Sequence, residues 1–516
     1  MRIAKHPLRT AISPPLSETP RERAIGLVCA GTAVAFGALS ALGADQAIAT
    51  TLVVGAFGVA ALILPLSWVA LGLAALIPLQ IYFPFAGALN LRGALVFSSA
   101  AALRVFVTLL ARSSRQSMLG SLRSLPWLIP AALFVFAALA AVPTALNRYE
   151  ALKGIYLWLP VFAVAFVFGE IVRSERLVER IIIVLIAAGV GEAALGSIQT
   201  LLDVPRVLSL LQLPVSSLVY QPNLLRDRLA DLSFNWLFNQ RVLAFGTFIN
   251  NIDYAIFLAA ILTLVLALLL GEEPTTNAHP THPAIQRSNY PTIKTLVLVI
   301  CAILLAVALM QTLKWSGILA LAGGVGTIAL LSARRLSPRM VWLGALGGAA
   351  ALAIAALFSG DIASRVLFLV QREGGAFSTA GRVTTWLHLL GFLAQRPLFG
   401  FGLNNAPFLL DASPSLSGGA FVLNLSGPES AYVAILAETG IAGFAMLAVF
   451  FAVILTRAYR NLQSTQWTAR AIGMGSAVVA ILFGNLTVVG LTTDQNGMLL
   501  GALIGLIFGT RSTNPQ

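Results

Sequence analysis

The sequence predicts an all-α protein that crosses a membrane many times, and two observations carry this prediction. Hydrophobic residues make up 58% of the 516 residues and charged residues only 10%, whereas soluble domains carry about 25% charged residues. Apolar runs of about 20 residues, the length that spans a hydrocarbon core, recur along the whole chain. Because no segment has the composition of a second, soluble domain, we expect one membrane domain of about 12–14 transmembrane helices.

The spans are assigned from the apolar runs and from the polar or proline-containing segments that separate them. A single turn at Pro65-Leu66-Ser67 divides the second span from the third. In chain order, the predicted spans are 24–43, 47–66, 67–86, 93–111, 126–142, 154–172, 178–201, 242–270, 293–312, 316–333, 339–358, 430–456, 471–490 and 492–510.

The basic residues orient these spans, because cytoplasmic loops carry an excess of lysine and arginine. With the N-terminus in the cytoplasm, 20 of the 33 basic residues fall on the cytoplasmic side and 12 on the outer side. This orientation divides the chain into a cytoplasmic tail at 1–23, a membrane domain at 24–358, a long extracytoplasmic loop at 359–429, C-terminal spans at 430–510 and a second cytoplasmic tail at 511–516.

The outer side is nevertheless rich in arginine, mainly in the two long segments 202–241 and 359–429. Arginine pairs with phosphate and carboxylate groups through its planar fork, so we expect an anionic ligand on the outer surface. The net charge of +13 is explained first by membrane topology, and we do not expect nucleic acid as a partner.

The spacing of apolar residues in 382–396 predicts an amphipathic helix within the second outer segment. The helix is expected to begin near Ser378 and to end before Pro397, and glycines at 400 and 402 allow a tight turn back towards the protein. Its apolar residues share one face: Val383, Trp386, Leu387, Leu390, Leu393 and Ala394. We interpret it as a helix that lies in the membrane interface and holds Arg382 at the depth of a lipid phosphate; a packed re-entrant connector is the alternative.

Three segments resemble the O-antigen ligase and polymerase superfamily. The sequence GRVTTWLHLLGFLAQRPLFGFGL at 381–403 has the family's arginine, a tryptophan four residues later and a Pro-Leu-Phe-Gly-x-Gly turn. Downstream, Glu429-Ser430 precedes Gly440-Ile441-Ala442-Gly443 at the family spacing. Upstream, Arg241 and the segment 246–251 resemble the Gly-x-Phe-x-Asn-Pro-Asn stretch that opens a family span. The resemblance covers 240–450 and implies a GT-C-like membrane glycosyltransferase.

Two positions depart from the family pattern. The usual Ser-Arg-Gly aligns with Lys314-Trp315-Ser316, so Lys314 stands where the family has an arginine. The histidine that family ligases use corresponds to Glu429. This second departure concerns the group that activates the acceptor, so the mechanism of family ligases does not transfer unchanged.

The resemblance implies that a glycan on undecaprenyl diphosphate is moved to an acceptor hydroxyl, without a metal or nucleotide, at the outer face of a bacterial cytoplasmic membrane. An inverting displacement needs a cation for the departing diphosphate and a base for the hydroxyl. Arg382 is the candidate clamp and Glu429 the candidate base. Arg382 could also contact lipid headgroups, and Glu429 could also be an interfacial carboxylate paired with an arginine.

Further polar residues are assigned to substrate binding: Lys314, Arg241, Trp386, Asn250, Lys153 and His388. His388 is also a possible substitute for the family histidine. Asp253 is open between a functional and a structural role, and Glu150 is placed beside Lys153 at an outer turn. Glu438, deeper in its span, is interpreted as a structural partner within the helix bundle.

The acceptor is left open between a glycan, as for a polymerase, and a lipid A-core-like molecule, as for a ligase; protein glycosylation is a third possibility. A flippase that transports lipid-linked oligosaccharides is the alternative from another class. Transporters tend to show repeat symmetry and broken helices near the midplane, whereas this chain concentrates its polar features on one side, which favours the transferase.

Overall fold

The structure, a computed structural model, describes residues 46–79, 82–85, 89–112, 125–201, 244–248, 250–270, 293–332, 376–411, 430–462, 468–491 and 494–509. Its helices are α1 (Gln46–Ile63), α2 (Leu66–Leu76), α3 (Gly93–Arg112), α4 (Leu128–Ala141), α5 (Arg148–Ile171), α6 (Glu175–Gln199), α7 (Asn251–Leu270), α8 (Ile293–Gln311), α9 (Trp315–Ser332), α10 (Ala376–Gln395), α11 (Ala406–Asp411), α12 (Ala431–Leu462), α13 (Thr468–Gly484) and α14 (Asp494–Gly509). A 3₁₀ turn at Val142–Thr144 follows α4.

The predicted fold class is confirmed: the chain is an all-α, polytopic membrane protein. Among the described residues, six helices are long and apolar enough to cross a membrane, namely α5, α6, α7, α8, α9 and α12. Five shorter apolar stretches lie in α2, α3, α4, α13 and α14. The predicted spans at 24–43 and 339–358 fall outside the described residues.

Two predicted span boundaries are wrong. The third span was expected at 67–86, but α2 ends at Leu76 and a short antiparallel hairpin follows, with β1 (Tyr82–Phe85) paired to β2 (Leu89–Arg92). Prolines at 78 and 84 explain the difference, because proline lacks the N–H that a helix needs. In the span expected at 242–270, the described residues 244–248 form a turn, and the helix α7 begins at Asn251.

The helix α7 lies at the centre of the bundle. Its residues from Tyr254 to Ala260 are all buried, on every side of the helix. A helix that is apolar all round is typical of a position surrounded by other helices. It packs against α8, α9 and α13, and glycines at the contacts, such as Gly324 against Thr263, allow close approach.

Small residues also bring α5 and α14 together. Gly501, Gly505 and Gly509 recur every four residues along α14, and an added Cβ at Gly501 would lie 2.4 Å from Val161 O of α5. An added Cβ at Gly509 would lie 2.5 Å from Val172 O. This small-xxx-small pattern drives helix association in membranes through close backbone contact.

Most of the buried polar residues that the structure describes lie at one end of the bundle, which we call the polar end. Short links between α4 and α5, α8 and α9, and α13 and α14 bring consecutive helix ends together. Gln199 at the end of α6 contacts Gly246 just before α7, and Ala431 at the start of α12 donates to Asn485 O after α13. Buried polar residues at this end include Glu192, Gln199, Thr247, Asn251, Asp253, Thr312, Ser316, Asn405, Ser430, Glu438, Asn485, Gln495 and Asn496.

Candidate functional site

The helix α10, which carries Arg382, has two different faces. Val383 and Leu387 are exposed, by 44% and 63%, which agrees with the predicted apolar stripe. Thr385 and Leu389 are fully buried, and Leu389 packs with residues of α11 and α12. Arg382 lies three residues before Thr385 and seven before Leu389, so it belongs to the stripe that faces the protein. Its side chain is half-buried.

After α10, residues 397–402 pack against residues 437–442, where α12 is interrupted at Gly440. We call this contact the glycine crossing. In a continuous helix each N–H bonds to the carbonyl four residues earlier. Here the two segments exchange partners: Phe401 N donates to Ala437 O (3.3 Å), Gly402 N to Glu438 O (2.7 Å), Ile441 N to Pro397 O (2.8 Å) and Ala442 N to Leu398 O (3.1 Å). Each segment therefore completes the backbone hydrogen bonding of the other.

One glycine in each segment makes this exchange possible. Gly400 has φ 64° and Gly440 has φ 65°, a region that residues with a Cβ rarely adopt. An added Cβ would lie 2.4 Å from Ala437 O at Gly400 and 2.3 Å from Leu398 O at Gly440. Both contacts are with backbone, which cannot move aside. The predicted turn at Gly400 and Gly402 is confirmed, since Gly402 also has positive φ.

The Glu438 side chain holds the next part of the turn. Its Oε1 accepts a hydrogen bond from Ala406 N at 2.9 Å, and the backbone N–H groups of Asn404 and Asn405 also bond to this carboxylate. These N–H groups lie at and before the start of α11, where a carboxylate is favourable. These contacts are those of a structural carboxylate, with backbone groups as its partners.

Two asparagines join this turn to the beginning of α5. Asn147 N donates to Asn405 Oδ1 at 2.7 Å, and Asn405 Nδ2 donates to Asn147 O at 3.1 Å. Asn404 Nδ2 donates to Glu150 Oε2, and Glu150 Oε1 pairs with Lys153 Nζ at 3.1 Å. The turn therefore connects the C-terminal end of α10 with the half-exposed Lys153 on α5.

Arg396 closes the same turn. Its guanidinium donates to Thr144 O, before α5, and lies 4.6 Å from the centre of the Phe401 ring. An arginine over an aromatic face gains cation–π attraction. This side chain is exposed, but these two contacts assign it to the connection between α10 and α5.

A second irregular segment, residues 244–248, is held by side chains of α6. Gln199 Oε1 accepts from Gly246 N at 2.8 Å and its Nε2 donates to Gly246 O at 2.7 Å. Glu192 Oε2 accepts from Thr247 N and its Oε1 from Thr247 Oγ1, both at 2.8 Å. Tyr254 Oη donates to Glu192 O at 2.7 Å. We call Glu192 and Gln199, seven residues apart on α6, the α6 clamp.

The clamped segment also contacts the turn that carries Lys314. Ala244 N donates to Gln311 O at 3.4 Å, and Asn251 Nδ2 donates to Thr312 O at 3.4 Å. Leu313, directly before Lys314, has φ 52°. Positive φ is rare for a bulky residue and indicates a turn fixed by its surroundings.

Among the described residues, the predicted site residues fall into two groups. Arg382, Trp386 and His388 lie half-buried on α10, and the turn described above links that helix to Lys153. Lys314 lies half-buried beside the clamped segment, as does Asn250, whose Oδ1 accepts from Ile252 N at 2.9 Å and so caps α7.

Two predicted residues, Glu429 and Arg241, lie outside the described residues. The residue after Glu429, Ser430, is 3% exposed and lies at the start of α12. Asp253, whose role was left open, is buried in the first turn of α7 at the polar end.

Sequence reasoning did not single out four residues that hold this end together: Glu192, Gln199, Asn404 and Asn405. The α6 clamp had a visible signal, because a glutamate and a glutamine two turns apart in an apolar span share a face. The two asparagines had only their place after the Gly-Phe-Gly turn. Their contacts are with α5, more than 200 residues away in the chain, which no local pattern reveals.

Within the described residues, the carboxylates and the candidate cationic side chains differ in burial. The buried carboxylates of Glu192 and Glu438 accept hydrogen bonds from backbone N–H groups. The cationic side chains of Arg382, Lys314 and Lys153 are only partly buried. Cations at such an interface are suited to an anionic ligand that approaches from outside the bundle.

Comparison with known proteins agrees with this arrangement. Residues 300–448 match the family model described as O-antigen ligase, a range that contains Lys314, α10 and the glycine crossing. A search of curated protein sequences finds no match. O-antigen ligases are enzymes that transfer glycans, so the match supports a glycosyltransferase-like activity on glycan and lipid-linked substrates. Residues 300–448 are therefore similar to the O-antigen ligase family.

Proposed function

We propose that this protein transfers a glycan from undecaprenyl diphosphate to an acceptor hydroxyl at the outer face of the bacterial cytoplasmic membrane. The reaction is a single displacement with inversion at the anomeric carbon. The acceptor is a growing glycan or a lipid A-core-like molecule. The observation that carries the proposal is the position of Arg382, within the family match and on the protein-facing stripe of α10.

Arg382 neutralises the leaving group in this mechanism. The bond between the anomeric carbon and the phosphate oxygen breaks, and undecaprenyl diphosphate departs with an additional negative charge. A guanidinium binds two phosphate oxygens at once and stabilises that charge as it develops. Lys314, on the turn joined to the segment 244–248, adds positive charge in this proposal, and Arg241 is assigned the same role.

Glu429 takes the proton from the acceptor hydroxyl as the new glycosidic bond forms. The proposal is supported by chain position, because Ser430 is buried at the start of α12 and the glycine crossing joins α12 to the segment after α10. Glu429→Gln should abolish transfer while the protein is still inserted in the membrane. Near-normal activity of the purified Glu429→Gln protein would exclude Glu429 as the base.

Mass spectrometry of undecaprenyl-linked glycans after deletion of the gene tests the function. Single repeat units that accumulate on the carrier would identify a polymerase. Long glycans stranded on the carrier would identify a ligase. If neither accumulates on the outer side of the membrane, the transferase is contradicted, and a defect in transport would favour the flippase.

A further inference from the structure

Two of the predicted substrate contacts depend on one short segment of chain. Asn250 follows the clamped segment 244–248 two residues later in the chain. The turn that carries Lys314 is joined to it through Ala244 and Asn251. Groups that hold this segment in place therefore also hold the predicted contact residues in place.

The α6 clamp is the main side-chain support of that segment. Gln199 makes hydrogen bonds to Phe245 N, Gly246 N and Gly246 O, so its amide replaces a strand partner for the irregular backbone. Glu192 binds both the N–H and the hydroxyl of Thr247. Glu192 is 4% and Gln199 7% exposed, so water does not compete for these bonds.

We infer that Glu192 and Gln199 are positioning residues for the donor's diphosphate, acting through the segment 244–248 on Asn250 and Lys314. This inference rests on the proposed function, because that function supplies the diphosphate. Neither side chain touches the substrate itself. Binding sites keep their geometry when their contact residues are supported by locked hydrogen bonds behind them, and small displacements cost much of the affinity.

The test measures the affinity of the purified full-length protein, in lipid nanodiscs, for undecaprenyl diphosphate. Gln199→Ala should weaken binding roughly tenfold, at a temperature where the variant is folded. Glu192→Ala should weaken it similarly, and Glu192→Gln should recover part of the loss because its amide oxygen can still accept from Thr247 N.

Glu170→Gln is the matched control. Glu170 is also a buried carboxylate, 7% exposed, but it pairs with Arg173 at the opposite end of α5. Its variant should lose stability without losing affinity for undecaprenyl diphosphate. If the Glu192 and Gln199 variants also lose only stability, the clamp is purely structural and the inference is overturned.

A double substitution shows whether the clamp acts through the predicted contacts. Gln199→Ala should add little to the effect of Lys314→Ala, because residues that act through one another are not additive. Full additivity would contradict the inference. If the unchanged protein itself does not bind undecaprenyl diphosphate, the proposed function fails, which is a separate result.

Discussion

Two irregular segments shape the polar end, and they are held by opposite means. The glycine crossing relies on backbone: four hydrogen bonds exchanged between 397–402 and 437–442, with a glycine in each segment. The segment 244–248 relies on side chains, because Glu192 and Gln199 of α6 supply its hydrogen-bond partners. Both solve the same problem, which is that backbone N–H and C=O groups inside a membrane protein must be paired.

The difference determines which substitutions each segment tolerates. A backbone contact fails when any side chain is added, since a carbonyl cannot move aside. A side-chain contact fails when a polar group is removed, but a polar replacement can preserve it. The first connects the chain after α10 with α12, and the second supports Asn250 and the turn that carries Lys314.

Gly440→Ala should have the largest effect on stability. The added Cβ would lie 2.3 Å from Leu398 O, and the positive φ adds strain, so the free energy of unfolding should fall by about 4 kcal/mol or more. The yield of folded protein and the midpoint of thermal unfolding in detergent measure this. Gly391→Ala is the control, because the space around Gly391 on α10 is open. Equal behaviour of the two variants would contradict the backbone account of the crossing.

Glu438→Ala should have the next largest effect. It removes the acceptor of the N–H groups at 404–406, and buried groups left without a partner should lower the free energy of unfolding by about 3 kcal/mol. Glu438→Gln should cost less, because its amide oxygen still accepts. Thermal unfolding compares the pair, and equal losses would show that the charge, and not the acceptor, is what matters.

Thr247→Val should have the smallest effect of the three. The shape of the side chain is kept and Glu192 still accepts from Thr247 N, but the hydroxyl bonded to Glu192 and Pro78 O is lost. We expect a decrease of about 1 kcal/mol in the free energy of unfolding. A decrease in the free energy of unfolding as large as that of Gly440→Ala would contradict the proposed difference between the two segments.

The sequence predicted the features that depend on glycine and proline. The helix before Pro397 and the turn at Gly400 and Gly402 could be expected, because these residues restrict or permit backbone conformations locally. The exchange with 437–442 could not, since it pairs residues 36 or 44 positions apart in the chain. The hairpin after α2 was missed for another reason: its strands are close in the chain, and the apolar run was interpreted as a span although Pro84 lies within it.

The sequence predicted the cationic residues of the candidate site but not the buried residues that hold the neighbouring backbone in place. Arg382, Lys314 and Lys153 were found because cations on the outer side require an explanation. Glu192 and Gln199 were missed because α6 satisfied the criteria for a span, and two polar residues did not change that assignment. Buried polar residues in an apolar helix, such as these two, can indicate a nearby irregular segment whose backbone they bind.

The most direct test of the central claim is complementation of a deletion strain with Arg382→Ala, followed by mass spectrometry of undecaprenyl-linked glycans. Arg180→Ala, an exposed arginine at the other end of α6, is the control. The account predicts that Arg382→Ala accumulates the same lipid-linked glycan as the deletion, with transfer reduced about 100-fold or more, while Arg180→Ala restores normal levels and both proteins are inserted. Normal consumption of the lipid-linked glycan by Arg382→Ala would contradict the account.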